Sequence, residues 1–300
     1  MGFFKRLFVP LFFVLAAGGG WLLVEHDRNT IFAIDGERVQ DAPGALSPAA
    51  GPGDAARPAT APLRPAREQF ARAFDRADKR PRVTVIVTGL GLARETSFRA
   101  IEELPPDVTL AFSPYADNLA PLVARARDKG HEILLAVPME AADPWRRDAG
   151  PEALSVGHSE GATRQRLQTL LARMQGNVGI IGDLGDRFAR DPVAMRPVFE
   201  ELAARGMLYV ENRLESPEAA APGNGVPKAA VSIWLDRDLA GEAIDREIAA
   251  AEAEALRTGS AVVLARPYAA TLARLAAWLK TLERKGIAVA PVSAAAKGGS

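Results

Sequence analysis

From Arg82 onward, short β-branched runs alternate with longer stretches of helical period. The strands expected are Val83–Thr88, Val108–Phe112, Glu132–Val137, Val178–Ile181, Met207–Val210, Val231–Leu235, Ala261–Leu264 and Ile287–Val292. Between them lie amphipathic segments: Leu167, Leu170, Leu171 and Met174 mark one apolar face, and Leu272, Leu275, Leu279 and Leu282 another. Alternating strands and helices imply a parallel sheet, and runs such as VTVIVT and AVVLA, apolar nearly throughout, suit strands covered on both faces. About eight such units predict an α/β fold, a TIM-like barrel that is irregular or incomplete. In a barrel of this kind the chemistry sits where strands end and loops begin.

The chain ahead of this region reads differently. Lys5 and Arg6 precede an uncharged run from Leu7 to Val24, whose 18 residues would rise about 27 Å as a helix, close to the hydrocarbon thickness of a bilayer. Ala16-Ala17-Gly18 is a poor cleavage site because Trp21-Leu22-Leu23-Val24 continues the apolar run. Residues 1–24 are therefore expected to be an uncleaved signal anchor, with a cleaved signal peptide as the alternative. Basic residues before the run and Glu25 and Asp27 after it place the N-terminus in the cytoplasm and the remainder outside the inner membrane, on the periplasmic side. Residues 25–80 read as a linker, and 41–66 hold nine Ala, six Pro and three Gly, which favours neither helix nor sheet. Within it, Arg67 to Lys79 is expected as a short helix pairing Phe70 with Phe74. The folded domain is expected over 81–295, followed by a tail over 296–300.

Composition removes several classes of function. The 300 residues are 48% hydrophobic and 25% charged, as in a globular protein. Lys plus Arg and Asp plus Glu number 37 each, so no overall charge recruits nucleic acid, and none is expected as a partner. Cysteine is absent, which removes thiolate chemistry and every Cys-containing metal site. Three histidines remain: His26 beside the apolar run, His131 at the start of the third strand and His158 before a helix, each read as structural or solvated.

The strand ends carry the chemistry that is left. Thr88-Gly89-Leu90-Gly91 has the spacing of a dinucleotide turn, but Arg94 stands at the third glycine position and the second strand ends at Phe112-Ser113-Pro114 with no acidic ribose ligand. The third strand runs into Pro138-Met139-Glu140, followed by a loop containing Trp145, Arg146 and Arg147, where the indole could stack on a sugar ring. The fourth ends in Gly182-Asp183-Leu184-Gly185-Asp186-Arg187-Phe188, the fifth in Glu211-Asn212-Arg213, and the seventh in Ala265-Arg266-Pro267-Tyr268.

In this order the motifs over Pro81 to Ser293 resemble the divergent polysaccharide deacetylases, a branch of the NodB-like carbohydrate esterases. In that family the first strand ends in Asp-Asp-Leu-Gly, and Thr88 and Gly89 stand here in place of both aspartates. The segment His-Leu-Pro-Met-Glu-Pro is matched by residues 136–141, which keep Pro-Met-Glu and lose the histidine. Asp183 replaces the histidine of Asn-His-Met-Gly-Ser-Arg-Phe, Glu211-Asn212-Arg213 stands for Asp-Ser-Arg, and Arg266 and Tyr268 fall in the segment matching Gly-His-Pro-His-Pro.

The resemblance implies a divalent metal such as zinc, held by carboxylate and imidazole groups, that polarises an N-acetyl carbonyl. Such a metal is expected only in an active domain, and the missing ligands point to none here. Three functions stay open. A non-catalytic domain would bind a glycan or an envelope protein through Thr88, Gly89, Glu140, Asp183, Asp186, Arg187, Glu211, Arg213, Arg266 and Tyr268. An esterase would use Asp183 and Glu211, the candidate catalytic residues, in a non-standard site. A scaffold would pair Arg266 with Asp183 or Glu211 as a buried ion pair in place of the metal.

Overall fold

The computed structural model describes residues 64–212 and 225–298. The expected anchor at 1–24, most of the linker and Arg213 lie outside the described residues. Among the described residues no helix is long and apolar enough to cross a membrane.

Strands β1 (Arg82–Leu90), β2 (Thr109–Phe112), β3 (Ile133–Met139), β4 (Gly179–Leu184), β5 (Leu208–Glu211), β6 (Lys228–Ala230), β7 (Ile233–Trp234), β8 (Ser260–Ala265) and β9 (Ala288–Val289) form one sheet. The order is β6-β5-β4-β3-β2-β1-β8-β7, with β9 paired to β1, and every pairing between these strands is parallel. The intervening helices are α2 (Arg94–Glu103), α3 (Leu119–Asp128), α4 (Glu160–Ala172), α5 (Pro192–Arg205), α6 (Gly241–Thr258) and α7 (Ala269–Leu282); short α1 (Ala66–Gln69) and α8 (Val292–Ala295) flank the series. Only Val231 and Ser232 separate the two ends of the strand path, so the sheet curls until its edges approach. The sixth expected strand is thus split: Val231 donates to the Glu211 carbonyl on one edge, and Ser232 to the Val262 carbonyl on the other. The eighth is reduced to two residues against the start of β1. This is a parallel half-barrel of the TIM-like α/β kind.

Period-two alternation sorts the side chains. Ile86, Ala111, Leu134, Ala136, Ile181, Leu208, Val210, Val262 and Leu264 pack together inside the barrel. Their neighbours Val85, Val87, Leu110, Phe112, Leu135, Val137, Ile180, Tyr209 and Val263 join the helices in the larger outer cluster, with Leu167, Leu170, Leu272, Leu275 and Leu282 fully buried there. Local signals set the helix ends. Asp191 caps α5 by accepting from the Val193 and Ala194 N–H groups, and Gly206, at φ 62°, ends it. Gly179 permits the closest approach in the sheet, since a Cβ there would stand 2.1 Å from the Leu208 carbonyl oxygen.

The helix expected over 67–79 is confined to α1. Beyond it the Arg72 N–H donates to the Glu132 carboxylate at 2.9 Å instead of to a helical carbonyl. Phe70, Ala295 and Ala296 each pack against the inner cluster, the Arg127 guanidinium lies 5.7 Å from the Phe70 ring, and that of Arg82 lies 5.3 Å from Phe74. Residues 66–80 of the expected linker are thus bonded to the barrel, as is Lys297 of the expected tail, which pairs with Lys228.

Candidate functional site

At the C-terminal ends of the strands the inward-facing positions continue the interior set. Thr88 follows Ile86, Asp183 follows Ile181, Asn212 follows Val210, and Arg266 follows Leu264. Register makes them neighbours: Val87 opposes Ala265, which sets Thr88 beside Arg266, and Pro138 opposes Asp183. Glu211 has the other parity. It shares the outer face with Tyr209, whose hydroxyl it helps hold protonated, second to burial. The structure therefore brings Thr88, Asp183 and Arg266 together at the mouth and turns Glu211 away from them.

Arg266 is half-buried and takes part in no ion pair among the described residues. Its guanidinium lies 4.7 Å from the centre of the Trp234 ring, and that of Arg237 lies 5.3 Å from the same ring. One Arg266 N–H reaches the Tyr268 hydroxyl at 3.4 Å, and Tyr268 is itself 39% exposed. The expected buried pair with Asp183 or Glu211 is replaced by this stack. The plate is fixed from behind by Asp236, a residue that the motif reading did not single out. Its carboxylate accepts from Trp234 Nε1 at 2.8 Å, from the Arg266 backbone N–H at 2.8 Å and from Thr271 Oγ1 at 3.1 Å. Burial pushes the Asp236 carboxyl above its ordinary range against these bonds. Asp236 lies outside the strand-end motifs, so no local signal marks it in the sequence.

Asp183 is reached by solvent, yet enough protein surrounds its carboxyl that desolvation pushes its pKa up, opposed by the Arg266 charge and the Leu184 N–H. Thr88, Asp183 and Arg266 form the polar floor of the mouth. Leu184 has φ 59°, a left-handed conformation costing a branched residue about 1–2 kcal/mol. The turn carries the chain sharply from Asp183 into Gly185, whose Cβ, were it present, would meet Met139 Cβ at 2.8 Å.

The other expected residues brace the rim. Glu140 accepts from Val156 N–H at 2.9 Å and from Ser155 Oγ, and pairs with Arg187 at 2.9 Å. Asp186 accepts from Ala142 N–H at 2.9 Å and pairs with Arg147 at 2.5 Å. Gly89, at φ 78°, has open space where a Cβ would project, and the pairing of β1 with β2 slips between Val87 and Leu90. His26 lies outside the described residues, and the two described histidines stay apart from the mouth. His131 is buried with Nδ1 2.8 Å from the Val108 carbonyl oxygen and Nε2 3.1 Å from that of Ile101, and His158 Nδ1 accepts from Ser155 N–H at 3.2 Å.

This donor set does not fit a catalytic metal. Among the described residues the mouth offers one solvent-reached carboxylate, Asp183, beside a guanidinium that cannot ligate and repels a cation. Among the described residues no group of three or more His, Asp or Glu side chains could hold a metal.

Residues 85–296 match the divergent polysaccharide deacetylase family. An uncharacterised protein of Haemophilus influenzae is 25% identical over 186 residues, covering 61% of this chain and 66% of that one, just under two thirds of its length. The crystal structure of the uncharacterised protein ATU2773 from Agrobacterium tumefaciens C58 is 29% identical, with a TM-score of 0.71 over 77% of this chain and 94% of that one. A candidate cellobiose-phosphate cleavage protein, EF3048 of Enterococcus faecalis V583, shares the fold at 11% identity and a TM-score of 0.51, over 73% of this chain and all of that one. With the family match spanning well over half of its length, the chain belongs to the divergent polysaccharide deacetylases.

Proposed function

We propose that the domain is a non-catalytic member of its family that holds a glycan, or a glycan-bearing envelope partner, at the barrel mouth. The observation that carries this reading is the Arg266 guanidinium, held over the Trp234 ring without an ion pair and near enough to the solvent-reached Asp183 carboxyl for its charge to act on it. Hydrogen-bond donors and an acceptor then occupy the place where the family's metal chemistry would be centred, a pairing suited to sugar hydroxyls and carbonyls. Truncating Arg266 separates this reading from the others. Arg266→Ala is expected to leave thermal stability within about 1 kcal/mol, because the guanidinium makes no ion pair, Asp183 is reached by solvent, and Asp236 keeps its three hydrogen bonds, including that from the residue 266 backbone N–H. It should weaken binding of chito-oligosaccharides about tenfold or more, the worth of a charge-assisted hydrogen bond. A large drop in melting temperature with binding unchanged would indicate a structural role. Acetate release that chelator abolishes and zinc restores would identify an esterase instead.

The apolar run Leu7–Val24 behind Lys5 and Arg6 supports anchoring in the inner membrane with the domain on its periplasmic side. The full chain is then expected to resist carbonate extraction, and recovery of a soluble form lacking the run would refute the anchor.

A further inference from the structure

The loop after β3 holds an indole out in solvent. Trp145 is 96% exposed, yet the turn carrying it is tied at several points. The Arg146 and Arg147 N–H groups donate to the Asp143 carbonyl at 3.2 and 2.9 Å. On either side of the ring, Ala142 N–H and the Arg147 guanidinium both converge on Asp186, at 2.9 and 2.5 Å. Asp186 is buried, and these two donors, acting against desolvation, hold its carboxyl below the ordinary range. The loop is thus fixed to the segment after β4, three residues beyond Asp183. With its backbone fixed, the turn gives up little conformational freedom when a ligand covers the ring, leaving only the two side-chain torsions of the indole to be ordered.

We infer that Trp145 is a rim subsite on which one sugar ring of a bound glycan stacks, and that Asp186 is the residue that positions it; this rests on the glycan reading of the mouth. The surroundings of the ring select the occupant. In the chain Asp143, Arg146, Arg147 and Asp148 flank it, so charged side chains adjoin the indole, with Pro144 as its one immediate apolar neighbour in sequence, where a membrane or a hydrophobic protein interface would use a contiguous apolar patch. A pyranose offers what this surface matches: C–H groups on one face for the indole and hydroxyls at its edge for the flanking charges. A ligand that engages both floor and rim must be an oligosaccharide longer than the floor alone accommodates.

The test titrates the detergent-solubilised full chain with chitobiose and chitohexaose, followed by calorimetry and tryptophan fluorescence. Trp145→Ala should weaken chitohexaose about tenfold while changing chitobiose by less than about twofold and leaving the melting temperature unaltered. Trp145→Tyr should restore most of the loss, and Asp186→Asn should weaken chitohexaose while lowering the part of the tryptophan fluorescence anisotropy that Trp145→Ala removes, with Trp21, Trp234 and Trp278 as the common background. Chitohexaose bound equally by wild type and Trp145→Ala, with Arg266→Ala losing both saccharides, would reject the rim subsite and leave the floor standing. Binding of neither saccharide by the wild type would remove floor and rim together. A dimer in light scattering that Trp145→Ala dissolves would assign the indole to a second copy of the chain and overturn the inference.

Discussion

Glu132→Ala is expected to destabilise the domain by about 3–5 kcal/mol, because a fully buried carboxylate that ties three segments together is removed. Oε1 accepts from the Arg72 N–H at 2.9 Å and from Ser293 Oγ, and Oε2 accepts from the Ser293 N–H at 2.9 Å. Those partners lie 60 and 161 residues away, so this one side chain joins the segment entering the barrel, the start of β3 and the C-terminal helix α8. Truncation leaves two backbone donors and a hydroxyl without their acceptor at a site that is largely closed to solvent. Urea denaturation of wild type and variant would measure the loss, and a change below about 1 kcal/mol would show that the tie is dispensable. Glu132→Gln should cost less, about 1–3 kcal/mol, since one oxygen survives while the amide faces a donor. Its pH dependence has a definite sign. Burial holds the Glu132 carboxyl above its ordinary range, against the Ser293 and Arg72 hydrogen bonds. A folded-state pKa above the unfolded one contributes stability below the unfolded pKa that is lost as pH rises through the folded value. The wild-type advantage over Glu132→Gln should therefore be greatest near pH ~4 and shrink toward pH ~8.

The second large effect is at Asp236, where stability and binding are expected to fall together. The carboxylate is 2% exposed and accepts three hydrogen bonds, from Trp234, Arg266 and Thr271. Asp236→Ala orphans an indole N–H, a backbone N–H and a buried hydroxyl, which should cost about 2–4 kcal/mol. It also frees the Trp234 plate on which Arg266 lies, so saccharide binding should fall as far as in Arg266→Ala. Near-ultraviolet circular dichroism should register the released indole. Thr271→Val removes only one donor of the three and should cost about 1 kcal/mol with binding retained. Full binding by a folded Asp236→Ala would show that the orientation of Trp234 is set elsewhere. The contrast with Arg266→Ala is diagnostic: the guanidinium is expected to matter for ligand and little for stability, whereas the carboxylate behind it matters for both.

The alternation of apolar runs and amphipathic segments determined the α/β class, because strands covered on both faces and helices covered on one leave periodic apolar patterns whatever their neighbours. Strand positions were legible to within a few residues from Val83 to Leu264, and the strand ends marked where Asp183 and Arg266 would stand. The absence of cysteine and the presence of Thr88, Gly89, Asp183 and Arg266 at the strand ends were likewise legible in the sequence. Tertiary structure decided what depends on contacts distant in the chain. The helix expected over 67–79 yields after Gln69 because Glu132 takes the Arg72 N–H, a competitor invisible to local periodicity. The strand expected at Val231–Leu235 splits because its two halves satisfy opposite edges of the curled sheet. Glu211, one residue from the inward parity at the end of β5, joins the outer face, since in a strand a single step reverses the direction of a side chain. Arg266 rests on Trp234 instead of on a carboxylate, and Asp236 sets the angle of that plate. A guanidinium can be satisfied by a π face or by an anion, and only the placement of neighbours from other strands determines which of the two it meets.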